Sequence, residues 1–313
     1  MTDRLDGGKG KGRSIALVLS AAFLAACAGG TGDAPPPFAE RSAPEALFLV
    51  HNELFSIRLD GTDRQSLGLV GDNKWRTGWP RKLPDGRAIA LGDDGGAIYP
   101  YFAAGDRMLR LSNDNVTLND SLCGVSVGGE ARMIITTTPF IPTRTAVERV
   151  NVDNPALEMM HLERAALIAN PAPYADGSVV AVRYADTGTE LVVIDVATPM
   201  SANKQPQVLA HVDLPYYAAS PARLADGRVV YIRLDSRQGQ DLQPGEMWVV
   251  ETDGTTHAVG IDGIINLLVM GNYVVYESAG MKSFSDIVAT NLVDPPVNVT
   301  NTPYISEHIG WSD

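Results

Sequence analysis

A turn that returns at nearly fixed intervals constrains this chain more than any other feature. PRKLPDGRAIALGD (80–93), PAPYADGSVVAVRYAD (171–186) and PARLADGRVVYIRLD (221–235) each place a proline ahead of Asp-Gly, and an apolar run after it. Two looser copies are SVGGEARMIIT (126–136) and LVMGNYVVYES (268–278). The aligned glycines are Gly86, Gly129, Gly177, Gly227 and Gly271, at spacings of 43, 48, 50 and 44. Asp-Gly tolerates the positive φ of a tight turn, and a β-branched run after it makes the turn a hairpin. Repetition at about 20–50 residues belongs to solenoids and propellers.

Two more strands follow each hairpin. The third is read in AIYPYFA (97–103), AVERVNVD (146–153), ELVVIDVA (190–197), EMWVVETDG (246–254) and DIVATNLVD (286–294). A short fourth follows at 108–112, 156–160, 207–211, 256–260 and 297–301. Four strands per repeat with no helical period between them make an all-β chain of propeller blades. Residues 46–69 supply strands two to four of a further blade, and YISEHIGWSD (304–313) supplies a first strand without a blade. The expectation is a six-bladed β-propeller of four-stranded antiparallel blades, closed by pairing of the N- and C-terminal strands. That pairing also covers two sheet edges.

The N-terminus is organised differently. Met1–Arg13 is polar, and Ser14–Ala26 (SIALVLSAAFLAA) is apolar and rich in small residues. Thirteen apolar residues suit a signal-peptide core and fall short of the ~20 needed to span a bilayer. The tract after Cys27, AGGTGDAPPPFAERSAPEA, is too rich in Gly and Pro to continue a helix. The domains are therefore expected as 1–26, a signal peptide; 27–45, a lipidated cysteine and flexible tether; and 46–313, the propeller. Residues 1–26 hold four basic and two acidic groups, leaving the remainder with 21 basic against 35 acidic, or −14. So acidic a body does not grip nucleic acid through its surface.

Leu24-Ala25-Ala26-Cys27 resembles the bacterial lipobox. The resemblance implies cleavage before Cys27 and diacylglycerol on its thiol, with several acyl chains giving a stable anchor. Ala28, and not Asp, follows Cys27, so nothing signals retention at an inner membrane. Of two membranes, the outer one is expected. Lipidation leaves Cys123 as the one remaining thiol and allows no internal disulfide. Cys123 lies in an apolar stretch and reads as a small buried hydrophobe.

The repeats themselves resemble those of TolB-type propellers, the WD40-like PD40 repeat. The matching residues are Leu83-Pro84-Asp85-Gly86, Ala225-Asp226-Gly227, Ser56-Ile57-Arg58-Leu59-Asp60-Gly61 and the truncated Trp311-Ser312-Asp313. The resemblance covers about 46–313 and carries a fold more than a function. Two departures separate the chain from TolB itself: residues 28–45 leave no room for TolB's N-terminal α/β domain, and TolB is a free periplasmic protein.

Chemistry is sparse. Gly124-Val125-Ser126-Val127-Gly128 matches the nucleophile elbow G-x-S-x-G. An elbow needs a following helix and a large α/β domain, whereas a β-run, Met133–Thr137, follows here. The histidines, His51, His161, His211, His257 and His308, show no local metal motif. His161 and His211 are 50 residues apart, as are Gly177 and Gly227, which expects equivalent rim positions on adjacent blades. Arg183 and Arg233 share that offset, each six residues past its turn glycine, with His51 and Glu277 near the same row. These four, His161, His211, Arg183 and Arg233, could line a ligand site at one mouth of the channel. Their plainer reading is as satisfied surface groups, the arginines pairing with Asp186 and Asp235.

The functional expectation is a membrane-anchored, exported, non-enzymatic binding platform in the cell envelope. It needs no cofactor or resident metal, and its partner is an envelope protein or polysaccharide. The alternative is a metal-dependent polysaccharide lyase of the oligogalacturonate type, since some lyases with TolB-like propellers hold a metal on clustered histidines.

Overall fold

The computed structural model describes residues 22–23 and 45–298, except 51–52, 59–61, 71–72, 95–96, 105–106, 111–120, 138–145, 154–158, 164–167, 199–205, 239–243, 271–272 and 280–284. The described residues are almost wholly β; a single 3-10 turn, Ser236–Gln238, is their only helical segment. No helix among them is long and apolar enough to cross a membrane.

All sheets are antiparallel. The first joins β1 (Ala22–Phe23), β2 (Glu45–Val50), β3 (Glu53–Arg58) and β4 (Gln65–Leu69). The second joins β5 (Asn73–Lys82), β6 (Ala88–Asp94), β7 (Ala97–Ala104) and β8 (Arg107–Arg110). In the third lie β9 (Ser121–Val127), β10 (Glu130–Thr137), β11 (Ala146–Val150) and β12 (Met159–Glu163). The fourth is built of β13 (Ile168–Ala175), β14 (Ser178–Ala185), β15 (Gly188–Asp195) and β16 (Gln207–Asp213). The fifth runs through β17 (Tyr216–Arg223), β18 (Val229–Asp235), β19 (Gly245–Val250), β20 (Thr256–Met270), β21 (Tyr273–Ala279), β22 (Ser285–Thr290) and β23 (Val297–Asn298).

Within every sheet, strands pair in chain order, as the repeat requires. Its first strands adjoin one another from β1 to β5, β9, β13, β17 and β20, and β20 adjoins β1. This is the radial arrangement of a β-propeller.

The Asp-Gly turns form for local reasons. Asp85 Oδ1 accepts from the Arg87 amide at 3.0 Å, and Asp226 Oδ1 from the Arg228 amide at 3.1 Å. Backbone bonds from Gly86 to Leu83 O and from Gly227 to Leu224 O close both turns, with φ of +90° and +96° at the glycines. The residues after each turn are apolar without interruption because the second strand is covered on both faces. Val179 and Ala181 pack with Cys123, Val125 and Ile134 of the third sheet. Val180 and Val182 pack with Ala218, Val229 and Tyr231 of the fifth. The core is thus a set of seams between sheets, and each buried Val, Leu or Ile contributes about 1.5–3 kcal/mol.

Three expectations need correcting. The fourth strand read at 156–160 is Met159–Glu163, which puts His161 inside a strand. The fourth strand of one repeat and the first of the next are not separate but one 15-residue strand, β20. Gly260 and Gly263, with φ of +80° and +79°, bend that strand, and its pairing with β19 shifts register instead of ending. The free side of β2, assigned to residues 304–313, is met by β1, Ala22 opposite Leu47 and Phe23 opposite Ala46. Residues 304–313 lie outside the described residues, as does Cys27.

Candidate functional site

The two ends of the sheets differ in chemistry. At the Asp-Gly end, neighbouring sheets are stitched together. Asp176 accepts from Ser126 Oγ at 2.6 Å and from the Gly128 amide at 3.1 Å, while the Gly177 amide donates to Ser126 O at 2.6 Å. The Ser126 hydroxyl and the amides of Gly128 and Gly129 hold the Asp176 carboxyl below the usual carboxylate range. Arg87 reaches Asp153 at 2.6 and 3.2 Å, and buried Arg149 donates to Val196 O and Ala197 O at 2.6 and 2.7 Å. Ser126 is therefore a latch between sheets, on a strand that ends in a tight turn. Cys123 is fully buried, and burial raises its thiol to about 12 against the opposing effect of nearby Arg81. A thiol that stays protonated at neutral pH is no nucleophile.

The opposite end, where β16 passes into β17, carries the arginines and histidines singled out above. Register explains their offset. Glu148 on β11 pairs with Ile135 and His161; Glu190 on β15 pairs with Arg183 and His211; Glu246 on β19 pairs with Arg233 and Asp262. His161 and His211 thus hold equivalent backbone positions, in the outermost strands of their sheets and not in rim loops. The side chain of His161 is not among those described. His211 Nδ1 stands 3.8 Å from Glu190 Oε1 and Nε2 stands 3.3 Å from Asp213 Oδ1. Among the described residues, no three His, Cys, Asp or Glu side chains come together as a metal site.

Both arginines are engaged, with partners one strand away instead of Asp186 and Asp235. Arg183 Nε donates to Glu190 Oε2 at 2.6 Å. Arg233 Nη2 donates to Glu246 Oε2 at 3.0 Å, and its guanidinium lies between the Tyr216 ring at 4.4 Å and the Trp248 ring at 3.8 Å. Trp248 Nε1 donates to the same Glu246 oxygen at 2.6 Å. Asp235 pairs with Arg237, which holds its carboxyl at about 2. Each guanidinium is neutralised in place, so the row offers shape and aromatic surface more than free positive charge.

Two exposed apolar side chains at this end were not singled out in the sequence. Tyr184, near the end of β14, is 45% exposed, and Leu214, within the β16–β17 connection, is 55% exposed. Tyr184 ends the column Val180, Val182, Tyr184 that faces the fifth sheet. The Leu214 amide donates to Thr187 O at 3.1 Å, which holds Leu214 over the β14–β15 turn. The signal available was LPYY (214–217) at the very start of a first strand, where the other repeats show no such aromatic pair.

No protein-family model and no curated protein sequence matches the chain. Solved structures do. A candidate TolB from Agrobacterium tumefaciens is similar at a TM-score of 0.53 and 14% identity, over 76% of this chain and 84% of that one. The β-propeller domain of the Trilobed protease from Pyrococcus furiosus is similar at 0.51 and 8%, over 82% and 78%. A puromycin-hydrolysing peptidase from Mycobacterium tuberculosis is similar at 0.52 and 13% over 90% of this chain, which spans about half (47%) of that peptidase. The chain has the fold of a TolB-like β-propeller.

Proposed function

We propose that this protein is an exported, lipid-anchored β-propeller that serves as a non-enzymatic binding platform for an envelope protein or polymer. The observation that carries the non-enzymatic part is the engagement of Ser126. The one serine in a nucleophile-elbow motif donates to the turn carboxylate of the next sheet, with a second strand, β10, in place of the elbow's helix. Similarity to the peptidase of Mycobacterium tuberculosis, confined to about half of that chain, is fold without its chemistry.

Export and anchoring rest on the Leu24-Ala25-Ala26-Cys27 pattern. In the mature chain, Ala22 and Phe23 leave with the signal peptide and release the edge of β2. Residues 304–313 then take that edge and close a six-bladed ring. What supports this reading is the slot itself: β1 lies on the edge of β2 beside both β5 and β20, where this reading puts residues 304–313.

One preparation tests both parts. Full-length protein should fractionate with membranes and incorporate fatty acid, and Cys27→Ser should be soluble or remain an uncleaved precursor. Neither form should react with a fluorophosphonate at Ser126 or retain stoichiometric metal by elemental analysis. Unchanged processing and membrane association of Cys27→Ser would remove the anchor. Labelled Ser126 or retained metal would remove the non-enzymatic platform and, for metal, favour the lyase.

A further inference from the structure

The innermost strands carry charge of one sign. β5 holds Lys74, Arg76, Arg81 and Lys82, and β17 ends on Arg223. No Asp or Glu lies on β1, β5, β9, β13, β17 or the inner half of β20 (264–270). Strands further out do carry acid, as Glu148, Glu190 and Glu246 of the third strands show. Residues 304–313, in the slot of β1, would add only Glu307 and Asp313. A body of −14 thus surrounds a basic axis. Low-dielectric walls focus such a field and raise the local concentration of anions.

Two of these cations lean into the same half of the ring. Among the adjoining first strands, β9 and β13 stand between β5 and β17. Arg81 pairs with Ile89, which packs against the third sheet, so Arg81 leans toward β9. Arg223 pairs with Val229, which packs against the fourth sheet, so Arg223 leans toward β13. Its Nη1 donates to Tyr174 O at 2.8 Å, and its guanidinium lies 5.0 Å from the centre of the Tyr174 ring. Both arginines are part-exposed, near the Asp-Gly ends of their strands.

Arg223 differs from other arginines at this end. Arg87 and Arg228 are held by carboxylates, and Arg149, 5% exposed, is fixed on two carbonyls. Among the described residues, Arg223 meets one carbonyl and no carboxylate, and its Nε is buried without an acceptor. Burial pulls the Arg81 guanidinium down to about 10, a shift that a nearby anion reverses.

We propose that the Asp-Gly mouth of the axis is an anion site, where Arg223 and Arg81 hold the carboxylate or phosphate group of a small ligand. The site goes beyond the platform reading, since it needs neither an envelope partner nor a membrane. The planar guanidinium fork matches both kinds of oxyanion, and the Tyr174 carbonyl and ring hold the Arg223 fork in place.

The test is calorimetric titration of the full-length lipoprotein, in neutral detergent, with inorganic phosphate and with citrate. At least one should bind at millimolar concentration, and which of them binds tells a phosphate ester from a carboxylate as the source of the group. Arg223→Ala should weaken binding at least ten-fold. Arg223→Lys keeps the charge without the fork and should lose less, and Arg81→Gln should weaken binding at least five-fold. Arg228→Gln removes a charge at the same end, from an arginine already held by Asp226 and Glu251, and should change binding less than two-fold.

Binding of neither anion by the unaltered protein would overturn the proposal. An equal loss in Arg228→Gln and Arg223→Ala would overturn it too, by showing attraction to net charge alone. Thermal melting reports which variants fold. Should Arg223→Ala fail to fold, the folded Arg223→Lys and Arg81→Gln carry the test, and unchanged binding in both would overturn the site.

Discussion

Two glycines at equivalent turns do different jobs. Gly86 has φ of +90° and open space where a Cβ would sit, so only its backbone conformation requires glycine. Gly177 has φ of +68°, and a Cβ there would meet the Ala197 Cβ at 2.8 Å. Gly86→Ala should cost about 1–2 kcal/mol from the left-handed backbone alone, and Gly177→Ala measurably more, as read by urea unfolding. Equal costs would mean that Ala197 moves freely away. The aspartates make a second prediction. Arg237 depresses Asp235, Arg87 depresses Asp153 and Ser126 depresses Asp176. A carboxyl depressed in the folded state stabilises above its unfolded value near 4, and that stability is lost as pH falls through the folded value. The melting temperature should therefore drop between about pH 4 and pH 2, and drop less in Asp235→Asn. The same slope in both would mean that the Asp235–Arg237 pair does not persist in solution.

Between elements, the seams decide stability. Thr189, buried in β15, accepts the Ala218 amide of β17 at 2.8 Å and so ties the fourth sheet to the fifth. Thr189→Val keeps the shape but strands a buried amide, which should cost about 1–3 kcal/mol. Thr189→Ser keeps the oxygen and loses one methyl, at about 0.8 kcal/mol. Ala218 amide exchange should quicken in the valine variant alone; no difference between the two would deny that this bond joins the sheets. The hairpins were legible in the sequence because Asp-Gly and β-branched runs are local signals. β20 was not, because Gly260 and Gly263 carry the marks of a turn but are absorbed as bends within a strand. The common offset of Arg183 and Arg233 was legible, and so was that of His161 and His211. Glu190 and Glu246 were missed as partners because cross-strand pairing sets them 7 and 13 residues away, with a different loop length in each repeat. Tyr184 was missed because exposure at the end of a seam leaves no periodic trace.

At the scale of the molecule, repeats that cannot bury both faces alone acquire cores from their neighbours. The chain's Asp-Gly end is latched sheet to sheet, while its connection end presents aromatic and charged groups. We propose that the mature chain closes on itself through its C-terminal residues. Removal of 302–313 deletes Trp311, a side chain whose loss costs about 3–5 kcal/mol where it is buried, against a total stability of about 5–15 kcal/mol. It also leaves edges on the first and last repeats unpaired. The decisive measurement is the melting temperature of the signal-processed protein with and without residues 302–313. The shortened chain is expected to melt far lower or to aggregate through its open edges. A soluble shortened chain that melts with the full-length protein would contradict closure and the six-bladed ring with it.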